Sequence, residues 1–462
     1  MNTRTSRKLL PLALALLLGP TLASAEDLMQ SYELARQSDP TVRVSAAQRE
    51  SISEGVDQAT AQLLPQIAAS LSYTRDHSSG LSQQFFPDEN GNLVEFPVTS
   101  SARGRGTSLQ GNLTQSILDF SRWTARKAAK ELARRGDAVY SAAENDLMIR
   151  TATTYFAVLT AEDTLTFSQA EEKALSRQLD QAQQRYEVGL SAITDVNEAK
   201  AQHDSATAAA ISAQNALDDA REALREITGK EPGNLSRLRP DLPMLPPEPN
   251  NIEAWVNQAV SDNPTLKAQE LALAAANTNI NTARAGHLPT LSGSITYTKQ
   301  PSWSDNTSSG YDGERHLNGE RRDTAVGILL NVPIFTGGYT QSRVRQAVYD
   351  RDATSETYEQ QKRAITRQAR SNFRAVVAGI SEVEARKQAV VSANSALEAT
   401  QAGFEVGTRT IVDVLLSQRQ LYQAQRDYSN ARHNFVLNRL RLRQSAGNIA
   451  PKDLGEVNAL LE

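Results

Sequence analysis

The chain has 462 residues, with 49 Lys and Arg against 53 Asp and Glu and a formal net charge of −4. That acidic surplus argues against a nucleic-acid partner, whose phosphates select cationic surfaces, and a mean hydropathy of −0.46 with no long apolar run beyond the N-terminus excludes a helical membrane protein. There is no Cys, so neither a disulfide nor a cysteine-linked lipid anchor contributes to the fold.

Arg4, Arg7 and Lys8 stand before an apolar run at 9–18, and Ala23-Ser24-Ala25 places small residues ahead of Glu26. This layout predicts a secretory signal peptide over 1–25. The run is too short to be an anchor, since a spanning helix needs roughly 20 apolar residues. The leader holds three Lys and Arg and no acid, so the rest carries 46 basic against 53 acidic residues, a net of −7. An exported chain without apolar helices enters a membrane only as a β-barrel, whose strands leave a weak hydropathy signal.

The remainder is one design used twice. Arg185-Tyr186-Glu187-Val188-Gly189 and Ile193-Thr194-Asp195-Val196 return 218 residues later as Gly403-Phe404-Glu405-Val406-Gly407 and Ile411-Val412-Asp413-Val414. Upstream, Asp39-Pro40-Thr41-Val42 matches Asn263-Pro264-Thr265-Leu266. Leu64-Pro65-Gln66-Ile67 likewise matches Leu288-Pro289-Thr290-Leu291. The repeats fall at 26–235 and 252–450, with a crossing at 236–251 and a tail at 451–462. Pro240, Pro243, Pro246, Pro247 and Pro249 keep the crossing from being regular helix.

In the first repeat, Ile67, Ala69, Leu71 and Tyr73 alternate with polar residues, as do Leu109, Leu113 and Ile117. These patterns predict strands over about 66–75 and 104–118, joined by a polar insertion. No proline then occurs from 98 to 231. An Ala-, Gln-, Glu- and Arg-rich stretch of that kind predicts a helix of roughly 65 residues, a turn at Gly189, and a returning helix of roughly 38. Ala199, Ala206, Ala213 and Ala220 recur every seven residues along the return.

The second repeat follows the same plan. Leu291, Ile295 and Tyr297, then Val326, Ile328, Leu330, Val332 and Ile334, predict strands over about 290–299 and 322–335. The proline-free stretch from 334 to 450 predicts another long helix, a turn at Gly407 and a return with Val414, Leu421, Tyr428, Phe435 and Leu442 on one seam. Ser417, Ala424 and Ala431 form its small row. Sustained sevens mean supercoiled helices.

Four strands cannot close a membrane barrel, because the smallest known have about eight. An open sheet in lipid would leave backbone groups unpaired at several kcal/mol each, so the chain must join copies of itself in a closed ring. Two copies give eight strands and a filled interior; three give twelve and a bore. The strand count leaves both open.

The run Val406-Gly407-Thr408-Arg409-Thr410-Ile411-Val412-Asp413-Val414-Leu415 resembles the most recognisable stretch of the TolC family of outer-membrane efflux and secretion channels. So do Ala192-Ile193-Thr194-Asp195-Val196, Gly286-His287-Leu288-Pro289-Thr290 and Pro333-Ile334-Phe335-Thr336-Gly337-Gly338, in the family's order, from about Glu26 to Pro451. The resemblance implies an α+β membrane protein: a homotrimer with a shared twelve-stranded outer-membrane β-barrel, a long periplasmic α-helical barrel, and an equatorial girdle drawing on the crossing and the tail. It implies partners too, namely a periplasmic adaptor (membrane fusion protein), an inner-membrane pump of RND, ABC or MFS type and outer-membrane lipid, with no cofactor and no nucleic acid.

It further implies a periplasmic gate of Thr194, Asp195, Phe404, Arg409 and Asp413. Arg409 would tie the inner helix pair to Thr194 and Asp195, and Asp413 would face the pore as a carboxylate ring. Val188, Gly189 and Leu190, with Val406, Gly407 and Thr408, would meet the adaptor's helical hairpins. The same residues also read as ordinary local structure: Thr410 with Asp413 is close to a capping box, Asp195 suits a first helical turn, and both glycines suit turns. Two positions depart from the family pattern: Phe404 stands where a latching tyrosine is usual, and Leu416 where a second pore acid is common.

Nothing in the pattern suggests catalysis or a metal. His77, His203, His287, His316 and His433 are scattered, and no P-loop, GxGxxG or GxSxG occurs. A periplasmic coiled-coil tether would explain the helices but not the four alternating segments. An outer-membrane enzyme lacks a candidate group.

Overall fold

The computed structural model describes residues 25–309 and 314–462. The expected leader therefore lies outside the described residues, except for Ala25. In chain order the elements are α1 (Leu28–Ser38), α2 (Pro40–Ala61), β1 (Gln66–Pro87), β2 (Leu93–Leu118), α3 (Phe120–Glu187), α4 (Ile193–Thr228), α5 (Ile252–Asp262), α6 (Pro264–Ala285), β3 (Thr290–Ser308), β4 (Arg315–Asn331), α7 (Tyr339–Glu405), α8 (Ile411–Ser445) and α9 (Pro451–Asn458). They fall into two compact units. One holds Ala47–Ala138 with Ala268–Gln360; the other holds the described part of Met1–Ala46, with Val139–Lys267 and Gln361–Glu462.

The first unit carries the sheet. Its four strands run antiparallel in the order β1-β2-β3-β4. Ile67 pairs with Leu113, Leu113 with Ile295, and Ile295 with Val326, so one row crosses all four strands on a single face. Three residues along, Ser70, Gln110, Thr298 and Asp323 make the corresponding row on the other face. The apolar face is bare in one chain, with Ile67 78% exposed, Leu71 71%, Val326 75% and Ile328 74%. Exposed apolar area on that scale needs a partner or a lipid phase.

The strands outrun the expected ones. The stretches read as polar insertions continue both hairpins, to Pro87 and from Leu93 in one, to Ser308 and from Arg315 in the other. Alternating hydropathy marks only the apolar band, whereas ladder pairing needs only backbone donors and acceptors. At the first tip the Asp88 carboxylate accepts from the backbone N–H groups of Asn90 and Asn92 at 2.9 and 2.8 Å. β4 also stops at Asn331 rather than 335, two residues before Pro333, which has no N–H to give a ladder. Beside the sheet, Gln115 Nε2 donates to the Leu63 carbonyl at 2.8 Å, and Arg126 Nε to Thr60 Oγ1 at 2.8 Å.

The second unit is helical. Its hairpins draw on α3 and α4, of 68 and 36 residues, and on α7 and α8, of 67 and 35. The seam on α8 is inside: Val414, Leu421, Phe435 and Leu442 are buried, and Tyr428 is partly so. Ala199, Ala206 and Ala213 are buried on α4. Their small side chains let Ala199 and Ala206 pack with Ile411 and Leu415 of α8 in one cluster.

Acidic side chains of α3 fasten its neighbours. Glu162 meets Arg221 of α4 at 3.0 Å, and Glu172 accepts from Thr207 at 2.9 Å. Glu171 meets Arg426 of α8 at 2.8 Å, and Asp163 accepts from Ser429. The proline-rich crossing contains no helix and is held at both sides. Tyr155, fully buried, aims its hydroxyl at the carbonyls of Glu26 and Ser236. Arg237 and Glu462 exchange two backbone bonds, and the tail forms α9.

His433 is buried among α3 residues. The Thr160 hydroxyl donates to the Phe156 carbonyl, so its oxygen accepts from His433 Nδ1 at 2.8 Å. The Phe156 ring stands 5.5 Å away, and Asp163 and Arg432 are the charges nearby. Burial pushes this imidazole down to about 4. Free of the fold it takes a proton near pH 6.5, so between those values the unfolded chain holds one proton more and stability falls as pH falls. His433→Gln should flatten the pH dependence of denaturant unfolding across that window, by up to about 1.4 kcal/mol per pH unit. An unchanged slope would contradict this assignment.

Candidate functional site

The two helical hairpins turn at matching places. α3 ends at Glu187, and Gly189 takes a φ of 77°; α7 ends at Glu405, and Gly407 takes 81°. A side chain with a Cβ is strained in that region, which is why glycine recurs there. Leu190 N–H closes the first turn on the Arg185 carbonyl at 2.7 Å, and Thr408 N–H closes the second on that of Gly403 at 2.8 Å. Val188, Leu190 and Val406 are 69, 70 and 76% exposed, so each tip presents apolar side chains to its surroundings.

The segments after the turns differ. α8 starts with a full capping box: Asp413 N–H donates to Thr410 Oγ1 at 3.3 Å, and Thr410 N–H donates to Asp413 Oδ2 at 3.0 Å. The Thr410 hydroxyl adds a bond to the same oxygen at 2.9 Å. The Thr410 N–H, then that hydroxyl, and then the Arg409 charge hold the Asp413 carboxyl below its usual range. α4 starts without a side-chain cap at Ala192; there Asp195 accepts from Ser191 Oγ at 2.7 Å. Thr194 is exposed beside it.

Among the described residues no hydrogen bond or ion pair joins Arg409 to Thr194 or Asp195. The Arg409 side chain lies over Gly403, where a Cβ would come 2.7 Å from its Cγ. The two hairpins are joined instead by Phe404. Its ring packs, as Leu179 and Val196 do, against the buried cluster of Leu175 and Ala182 of α3, Ala199 and Ala206 of α4, and Ile411 and Leu415 of α8. It also packs with Leu397, Val414 and Leu421. The Arg185 guanidinium stands 4.9 Å from the ring centroid, within cation–π range. In the sequence Phe404 stands only as a missing hydroxyl, and Arg185 has no evident role. The available signal was a cation in the last turn of α3, one helical turn before the glycine.

A two-faced sheet with free edges, together with long hairpins on a repeated plan, defines a subunit of a ring-closed outer-membrane channel. The chain belongs to the outer membrane efflux protein family, whose model matches residues 31–230 and 255–448. It is 38% identical over 458 residues to outer membrane protein TolC of Escherichia coli K12, covering 98% of this chain and 89% of that one. It is 26% identical over 441 residues to the alkaline protease secretion protein AprF of Pseudomonas aeruginosa, covering 95% and 88%. The crystal structure of the outer membrane protein VceC from Vibrio cholerae superposes with a TM-score of 0.70 at 19% identity, covering 91% and 96%, and shares the fold.

Phe404→Ala removes the one side chain common to both tip clusters. It should loosen the local packing by roughly 1–3 kcal/mol, read as faster protease cleavage at 188–190 and 406–408 in intact trimers. Cleavage at the wild-type rate would count against Phe404 as the joint.

Proposed function

We propose that this chain is the subunit of a passive trimeric exit duct for drug efflux and type I protein secretion, opened at its periplasmic entrance by an adaptor and an inner-membrane pump. The observation that carries this reading is the sheet: one apolar face, one polar face and unpaired edges at β1 and β4, in a chain of the efflux family. A polar lumen passes hydrated cargo, while the energy comes from the pump. Pumps of RND, ABC or MFS type all fit this requirement. The secretion arm is favoured by the likeness to AprF, the efflux arm by the family itself.

In this reading the tips are the gate. Phe404 and Arg185 hold the hairpins together, and Arg409 places a cation beside Asp413 that favours its carboxylate. Thr194 and Asp195 sit on the facing hairpin as partners for Arg409 when the ring assembles. Three Asp413 carboxylates near the axis repel one another and attract cations. Leu416 leaves that charge ring single. The exposed apolar tips, Val188, Gly189 and Leu190 with Val406, Gly407 and Thr408, suit the helical hairpins of an adaptor.

Arg409→Ala should raise conductance in planar bilayers, and unchanged conductance would reject Arg409 as a latch. At the tip, Gly407→Trp should abolish dye efflux with trimers intact. Gly407→Asn, which tolerates positive φ, should retain efflux. Equal loss in both would assign Gly407 to turn geometry alone.

A further inference from the structure

On the apolar face, each strand ends its run of outward apolar and neutral residues in a cation. On β1 the series Ile67, Ala69, Leu71, Tyr73 is followed by Arg75; on β2 the series Leu113, Gly111, Leu109, Thr107 is followed by Arg105. On β3, Ile295 and Tyr297 lead to Lys299; on β4, Ile328, Val326 and Thr324 lead to Arg322. The register places all four on the face of Ile67. Arg75 is paired with Arg105, and Lys299 with Arg322, while Leu109 lies opposite Lys299.

The four cations do not share one row. From β1 to β4 they step back by four residues, because Arg322 stands in the row of Leu71. In a barrel whose strands tilt by roughly 40°, a level line drops by a little over one residue per strand. Arg75 and Arg105 share one row, and Lys299 and Arg322 share another four residues back; set against a slant of that size, the four cations fall within a band about three residues deep. Ten residues from Arg322 to Asn331 fit a strand that crosses the hydrocarbon, which takes about 9–11. The helices follow the other ends of the strands, so the cations mark the exterior edge of the band.

Their positive charge is not fully neutralised within the chain. Arg75 makes no ion pair among the described residues. Arg105 lies over the Trp303 ring at 5.7 Å, a contact that leaves its N–H groups open. Lys299 and Arg322 share one acid, Glu320, which leaves the pair net positive. At comparable height the pore face carries Arg321 already closed on Asp323 at 2.6 Å. Tyr73, Tyr297 and Trp303 flank the cations, as aromatic residues do at a membrane interface.

We infer that this collar, twelve cations in a trimer, is a binding site for the phosphates of the anionic glycolipid that forms the outer leaflet. Guanidinium groups recognise phosphate through paired N–H donors. The acyl chains of the same molecule would cover Ile67, Leu71, Val326 and Ile328, so one ligand satisfies both the charged and the bare apolar surface. The inference rests on the barrel reading of the sheet, with Arg75, Arg105, Lys299 and Arg322 as the residues that hold the headgroup.

The test uses purified trimers, native mass spectrometry, and diphosphoryl and monophosphoryl lipid A as probes, with inorganic phosphate as competitor. Wild type should retain the diphosphoryl form at least tenfold better than the monophosphoryl form, and millimolar phosphate should not displace it. Changing Arg75, Arg105, Lys299 and Arg322 to Gln together should remove that preference, whereas Arg321→Gln on the pore face should keep it. Equal retention of the two lipids by wild type, unaltered retention by the fourfold variant, or displacement by phosphate would overturn the inference. If the fourfold variant yields no trimers, the wild-type comparison and Arg322→Gln alone decide. Bilayer conductance of the variants separates the outcomes: lost lipid preference with normal pores supports the collar, while wild-type protein that forms no pores would sink the barrel reading itself.

Discussion

The constraint on which the rest depends is the pairing of backbone at β1 and β4. Each is an edge of a four-stranded antiparallel sheet, and each presents a column of N–H and C=O groups with no neighbouring strand among the described residues. In water such an edge is a hazard; in hydrocarbon every open group costs several kcal/mol. The apolar face next to those edges forbids the aqueous solution, and the two edges are free at opposite sides of one sheet. Because β1 and β4 run antiparallel, the β4 edge of one copy can take the β1 edge of the next without inverting a subunit. A closed ring of identical chains follows, and the proposed trimer closes it with twelve strands.

The helical unit solves a different problem. Helices of 67 and 68 residues gain little from the ends and must be held along their length. Small residues every seventh place bring α4 and α8 close, and the acids of α3 reach to both through Arg221, Thr207, Arg426 and Ser429. Around Tyr155 and Phe435 the packing is complete, and the buried Tyr155 hydroxyl has two acceptors in range. Toward the turns the core thins to a few side chains about Phe404, with bare apolar tips beyond. An element meant to move belongs at that weakly held end.

Much of the plan was legible because it rests on period and punctuation. Glycines at 189 and 407 and the absence of proline over more than a hundred residues announce helical hairpins, and alternation announces strands. Alternation fades where the apolar band ends, so it marks only part of each strand on both hairpins. Pairing continues past Arg75 and Lys299 chiefly on the backbone ladder, which leaves no mark in composition. At the tips, a sequence shows that Thr410 and Asp413 suit a cap but not that the carboxylate is already turned onto it. Nor does it show Arg185 over Phe404, a contact between residues more than two hundred positions apart. The collar was invisible for a similar reason: four cations scattered through two repeats become one band only when the register and tilt are known.

Cross-linking along the sheet edges tests the ring most directly. The natural chain has no Cys, so introduced thiols report only the pair chosen. Ala69→Cys on β1 would be combined, one at a time, with a cysteine at each position from 324 to 330 on β4, and oxidised in outer-membrane vesicles. Adjacent edges require that one or two registers yield a covalent three-chain ring that survives denaturation and collapses to monomer on reduction. Oxidation that leaves only single chains at every register would contradict closure by identical neighbours.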